Sequence, residues 1–357
     1  MKINLTKNVI NYINKMYDIM EDNKNLSSMF LDILYNSKNI ANNVNNKKSY
    51  FENIKSMFEL DESFLNYYKN YNLNNAFNLL DINEYKNNPY VKNIKLDKVI
   101  VDKNHKFENL NYKPFECFLY KNIEIGNDYL EHYKLGYFND NYSYITLLED
   151  ESIWMLITPH EINTMKEAVE KAHGKVITFG LGLGYYAYMC SLKENVESVT
   201  IIEKDKKTIE LFKEFILPQF KNKEKIIIIN DDAIKYCENK IDYDYGFVDI
   251  YKDEQDGLVL YIKMYQNLVK QNFHVDYWIE EGMIIILRRA LITLLYEITH
   301  NLYNECNDTF FDELISKFNE ITKNLSIENK KDIDLFLSID NIKSLITKIK
   351  LSWDSFL

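Results

Sequence analysis

Residues 176–186 read VITFGLGLGYY: a mostly apolar run of four, then glycines at 180, 182 and 184, then a pair of tyrosines. The chain has only nine glycines in 357 residues, so Gly180, Gly182 and Gly184 within five positions mark a designed turn. Glycine tolerates positive φ and lets the backbone approach a ligand, and the amino terminus of a following helix presents unpaired N–H groups to it. The spacing therefore predicts a tight strand-to-helix loop built to hold a ligand. A dinucleotide fingerprint, G-x-G-x-x-G, would need glycine at position 185. Tyr185 stands there, which argues against a dehydrogenase, although Tyr185 could line the same pocket.

Downstream of this loop, strand-like and helix-like segments alternate: strands at 176–179, 198–203, 225–230 and 245–250, with helices starting near 185, 206, 232 and 255. Continuous apolar strands between helices are what a parallel sheet covered on both faces requires. The expectation is an α/β, doubly wound Rossmann-like unit over residues 158–289, ending in a strand pair over 275–287, with Arg288 and Arg289 at its end. Residues 93–157 are instead short segments rich in β-branched and aromatic residues. They read as a small antiparallel β domain with a hairpin at 145–157 around Glu149, Asp150 and Glu151.

Residues 1–92 form an N-terminal helical region: 22 asparagines fall within the first 90 positions, yet Val9, Ile13, Met16 and Met20 keep helical spacing. Asn88 and Pro89 read as a helix terminus there. Residues 290–357 return to helical periodicity through Leu291, Leu294, Leu295 and Ile298, giving a C-terminal helical extension.

Composition narrows the function. With 46% hydrophobic and 27% charged residues the profile is globular. The apolar runs at 226–229 and 283–287 fall far short of the roughly 18 residues a membrane span needs. The opening residues are interrupted by Asn and Lys, unlike a secretory leader, so a cytoplasmic protein without a membrane role is expected. A net charge of -11 with only two arginines argues against a nucleic-acid substrate. Cys117, Cys190, Cys237 and Cys306 and the six histidines are dispersed, so reduced thiols and no metal are expected.

Three acidic positions stand at the carboxyl ends of predicted strands, Glu203 ending the second, Asp232 (with Ala233) after the third and Asp249 ending the fourth, and a further acid, Glu161, lies ahead of the first. With the G-x-G-x-G loop, this pattern resembles class I S-adenosylmethionine-dependent methyltransferases. The resemblance implies that Gly180, Gly182 and Gly184 cradle the cofactor, that Glu203 accepts the ribose hydroxyls, that Asp232 and Ala233 meet the adenine, and that Asp249 faces the sulfonium as catalytic residue. It is similar, more narrowly, to the spermidine synthases, through Pro159-His160-Glu161, Glu203-Lys204-Asp205 and Asp232-Ala233. That likeness spans roughly residues 95–270 and implies His160, Glu161 and Tyr251 as substrate-pocket residues. It departs at position 252, where the aminopropyltransferase pattern has a second carboxylate and this chain has Lys252, which would repel a polyamine.

The expected function is transfer of a group from S-adenosylmethionine, most simply methyl transfer to a small molecule. The alternatives are an aminopropyltransferase using decarboxylated S-adenosylmethionine and a non-catalytic protein that binds S-adenosyl ligands. The expected partners are a small-molecule acceptor and, in a homodimer, a second copy of the chain.

Overall fold

The structure, a computed structural model, describes residues 1–44, 49–126, 128–271, 273–303 and 309–350. Cys306 lies outside the described residues; Cys117, Cys190 and Cys237 are free and buried. The molecule is a mixed α/β fold. The first long helix, α1 (Lys7–Tyr35), buries Val9, Ile13, Met16, Met20, Leu26, Phe30 and Ile33 at three- to four-residue steps and leaves its Asn- and Lys-rich face outward. A one-turn helix, α2 (Pro89–Asn93), is capped by the Asn88 side chain. Then come β1 (His105–Tyr112), β2 (Tyr142–Glu149) and β3 (Ser152–Ile157), in one antiparallel sheet with β2 between β1 and β3. The hairpin turns through Asp150 and Glu151, both at positive φ.

Thr158 caps α3 (Pro159–Thr164) through a capping box with Glu161, and a second short helix, α4 (Lys166–Lys171), follows. The central unit then runs β4 (Gly174–Phe179), α5 (Tyr185–Ser191), β5 (Val196–Glu203), α6 (Lys206–Leu211), β6 (Ile226–Asn230), α7 (Ala233–Cys237), β7 (Tyr245–Val248), α8 (Glu254–Leu268) and β8 (His274–Tyr277). All pairings among its five strands are parallel, in the order β6-β5-β4-β7-β8. Residues 176–179, 199–202 and 245–248 are buried throughout, as strands covered on both faces must be. Chain order runs outward from β4 to β6, then resumes on the other side at β7. That reversal opens a crevice at the carboxyl ends of β4 and β7, the place where open α/β sheets take ligands.

The expected strand pair over 275–287 is half right. His274–Tyr277 is a strand, but residues 283–287 lie inside a 20-residue helix, α9 (Glu280–Thr299). A short apolar run has no periodicity of its own that separates a strand from a buried helix. Here the apolar positions continue through Ala290, Leu291, Leu294 and Leu295, and the helix is buried on most of its circumference. Arg288 and Arg289 are therefore mid-helix. Arg288 donates from Nε to the Leu337 carbonyl at 3.0 Å, and Arg289 makes a two-point ion pair with the buried Glu131. A continuous core joins α1, the antiparallel sheet, the parallel sheet and the carboxyl-terminal helices, through residues such as Val9, Phe107, Ile177, Leu291 and Leu345.

Candidate functional site

The glycine loop sits at the carboxyl end of β4 and runs into α5. Gly180, Gly182 and Gly184 have φ of +96, +51 and +75, a backbone region that penalises any side chain. Their surroundings differ. A Cβ on Gly180 would fall 1.8 Å from the Asp249 carbonyl oxygen, and one on Gly184 would fall 2.4 Å from the Phe212 ring. Phe212 belongs to a π-helical turn (Phe212–Ile216) that continues α6. A Cβ on Gly182 would meet nothing within 4 Å. Two of the glycines are thus required for packing, and the middle one fronts open space.

That space is a cavity of about 570 Å³. Its walls include Gly180, Gly182, Tyr185, Glu203, Asp232, Ala233, Asp249 and Tyr251 on the parallel sheet's carboxyl edge. The lining also includes β3 residues Ile153 to Ile157, with Glu161, Leu260 and Trp278. Trp154 of the hairpin is one of these wall residues. Gly184 and His160 are not on the wall. Gly184 lies against Phe212; the His160 ring meets the edge of Trp278, and its Nδ1 is 3.6 Å from the Glu161 carboxylate.

The Glu203 carboxylate, at the end of β5, accepts the Leu181 N–H of the glycine loop at 3.0 Å and the Asp205 N–H at 2.8 Å. It therefore ties β5 to the loop while two of its roughly four lone-pair directions stay available. Asp232 caps α7 by accepting the Lys235 N–H at 3.0 Å. Glu161 accepts the Thr158 N–H at 2.8 Å and the Thr158 hydroxyl, which fixes its carboxylate at the mouth of α3.

Asp249 differs from the other acids. It directly follows β7, is half-buried, and its carboxyl makes no hydrogen bond or ion pair among the described residues. Burial, reinforced by the nearby Glu161 and Glu203 carboxylates, pushes its carboxyl up to about 7 from an ordinary 3.8. A carboxyl so placed gains or loses its proton near neutrality, as a general base requires. Beside it, Tyr251 stacks on Trp278 with ring centroids 6.2 Å apart and donates its hydroxyl to the Trp278 carbonyl at 2.7 Å. The Trp278 indole N–H donates to the Thr164 hydroxyl at 2.9 Å. Lys252 is exposed at the cavity rim, while the Asp256 carboxylate accepts the N–H groups of Lys252 and Asp253, each at 3.1 Å.

A support behind the loop was not foreseen from the sequence. Asn88, expected only as a helix terminus, does cap α2, but its amide also donates to the Tyr185 hydroxyl at 2.9 Å. The Tyr90 hydroxyl donates to the Leu183 carbonyl at 2.5 Å, and Asn93 donates to the Tyr188 hydroxyl at 2.7 Å. The amino-terminal region thus braces both the glycine loop and the first turn of α5. The sequence reads Asn88-Pro89 as a helix terminus, and the structure makes it the start of α2; its long-range partners have no local signal.

Among the described residues no group of three His, Cys, Asp or Glu side chains is placed to hold a metal ion, and no helix is long and apolar enough to cross a membrane.

No protein-family profile matches the chain, and no curated sequence matches it. Among solved structures it is similar to spermidine synthase from Thermotoga maritima, with 13% identity and a TM-score of 0.31 over 42% of this chain and 59% of that one. A spermidine synthase in complex with the transition state analogue AdoDATO gives 14% and 0.31, over 42% and 60%. The C-terminal domain of precorrin-6Y C5,15-methyltransferase from Rhodobacter capsulatus gives 15% and 0.25, over 32% and 57%. The chain spans about three fifths of the length of the spermidine synthases it matches. Overlaps this small leave the functional reading to the residues of the cavity.

Proposed function

We propose that the chain is an S-adenosylmethionine-dependent transferase, most simply a methyltransferase acting on a small molecule. One observation carries the reading: the open face of Gly182, the Glu203 carboxylate and the Asp249 carboxyl all line one cavity at the sheet's reversal point. The residues present suit such a cofactor. Gly182 leaves room for close approach to the backbone, Glu203 keeps lone pairs for the two ribose hydroxyls, and Asp232 with Ala233 would meet the adenine. When bound, the cofactor supplies a sulfonium-activated methyl carbon. Asp249 takes the proton that an amine or hydroxyl acceptor must lose, a task suited to a carboxyl near 7. Trp278, Leu260 and the β3 wall exclude water from the acceptor half and align the acceptor against Asp249.

The approach of Glu161 to Asp249 gives the aminopropyl reading its support, since paired carboxylates suit a cationic acceptor. The products separate the two: S-adenosylhomocysteine marks methyl transfer and methylthioadenosine marks aminopropyl transfer. Calorimetry against S-adenosylmethionine, its decarboxylated form, methylthioadenosine and S-adenosylhomocysteine tests the reading itself. A folded protein that binds none of the four removes it.

A further inference from the structure

The cavity is strongly anionic. Glu161, Glu203, Asp205, Asp232, Asp249 and Asp256 all line it, against two cations, Lys204 and Lys252. A ligand carrying a carboxylate would be repelled from most of this wall, so wherever it does carry one, a cation has to meet it.

The sheet order tells the two lysines apart. A ligand with its adenine at Asp232 beyond β6 and its ribose at Glu203 beyond β5 extends along the row β6-β5-β4-β7. Its far end then reaches β7, about three strand spacings of roughly 4.8 Å from β6. Lys204 adjoins Glu203 and so stands at the ribose end. Lys252 stands at the β7 end, three positions after Asp249. Its local acid is already engaged: the Asp256 carboxylate accepts backbone N–H groups at the start of α8. Among the described residues the Lys252 ammonium has no ion pair or hydrogen bond, and the side chain is exposed at the rim.

We propose that Lys252 binds the carboxylate of the intact cofactor and so selects S-adenosylmethionine over its decarboxylated form. The proposal rests on the S-adenosyl reading above and assigns a specificity-determining role to a residue that otherwise only counts against a polyamine acceptor. The lysine lends the cavity's far end a single positive charge, which a cofactor lacking its carboxylate cannot use and with its ammonium would oppose.

The test measures the affinities of S-adenosylmethionine, decarboxylated S-adenosylmethionine and methylthioadenosine, by calorimetry, for the full chain and for Lys252→Gln and Lys252→Arg. Loss of a charge-assisted contact to the carboxylate corresponds to roughly tenfold weaker binding. The expected result is that Lys252→Gln weakens S-adenosylmethionine about tenfold, leaves methylthioadenosine unchanged and does not weaken the decarboxylated form, while Lys252→Arg restores most of the preference. An exposed position keeps both variants folded, which their thermal midpoints check. If the ratio of intact to decarboxylated affinity is the same in wild type and Lys252→Gln, the proposal is wrong even though the S-adenosyl reading stands. If the folded wild-type protein binds none of the three ligands, the S-adenosyl reading fails, and the proposal with it.

Discussion

Replacing Asp249 by Asn removes a charge and keeps the shape, and the pH dependence of stability then reports on the environment of this one carboxyl. Burial holds the Asp249 proton more tightly in the folded chain, at about 7, than the ordinary 3.8 expected when unfolded. Between these values the unfolded chain has released a proton that the folded chain keeps. Stability therefore falls as pH rises through that window and levels off above about 7. At 1.36 kcal/mol per pH unit the penalty has an upper bound of roughly 4 kcal/mol. The carboxyl is only half-buried and opens onto the cavity, so solvent screening reduces the expected size to ~2 kcal/mol. Urea unfolding of wild type and Asp249→Asn at about pH 4.5 and about pH 8 measures it. The variant should gain on the wild type by ~2 kcal/mol across that interval, and under the proposed function it should also lose transfer activity. Parallel pH profiles for the two proteins would refute the argument, because they would mean that Asp249 titrates as an ordinary exposed carboxyl.

Glu203→Ala removes an acceptor that holds the Leu181 N–H and faces the cavity. At ~1.5–3 kcal/mol per hydrogen bond to a charged group, methylthioadenosine affinity should drop at least about tenfold in a chain whose circular dichroism is unchanged. Gly180→Ala and Gly182→Ala should behave differently although both sit at positive φ. The first also drives a methyl into the Asp249 carbonyl and should lower the thermal midpoint markedly. The second should cost only the ~1–2 kcal/mol of left-handed backbone while abolishing ligand binding, and equal destabilisation of the two would contradict the loop geometry. Arg289→Ala strands the buried Glu131 carboxylate and should destabilise the fold by ~3 kcal/mol in urea titration, whereas a loss below ~1 kcal/mol would show that the pair is not shielded from water.

The sequence by itself determined the features whose causes are local. Three glycines within five residues require positive φ, and all three adopt it. Alternating apolar strands and helices require a parallel sheet, and the acids at the ends of β5 and β7 fall at its carboxyl edge because strand ends are where such chains turn. The helix start near Asp232 was equally legible, and Asp232 caps it. Only the tertiary structure decided what depends on distant partners. Residues 283–287 became helix rather than strand because α9 is surrounded by packed elements, and an apolar run states only that it must be buried. Asn88 and Tyr90 reach Tyr185 and Leu183, more than 90 positions away, across a boundary that no local pattern reveals. Asp249 owes its proton affinity to burial and to Glu161 and Glu203, which approach it only after the sheets have packed. Side-chain type and spacing restrict the backbone within a few residues, but the field at a carboxyl and the identity of its neighbours are set by which surfaces the folded chain brings together.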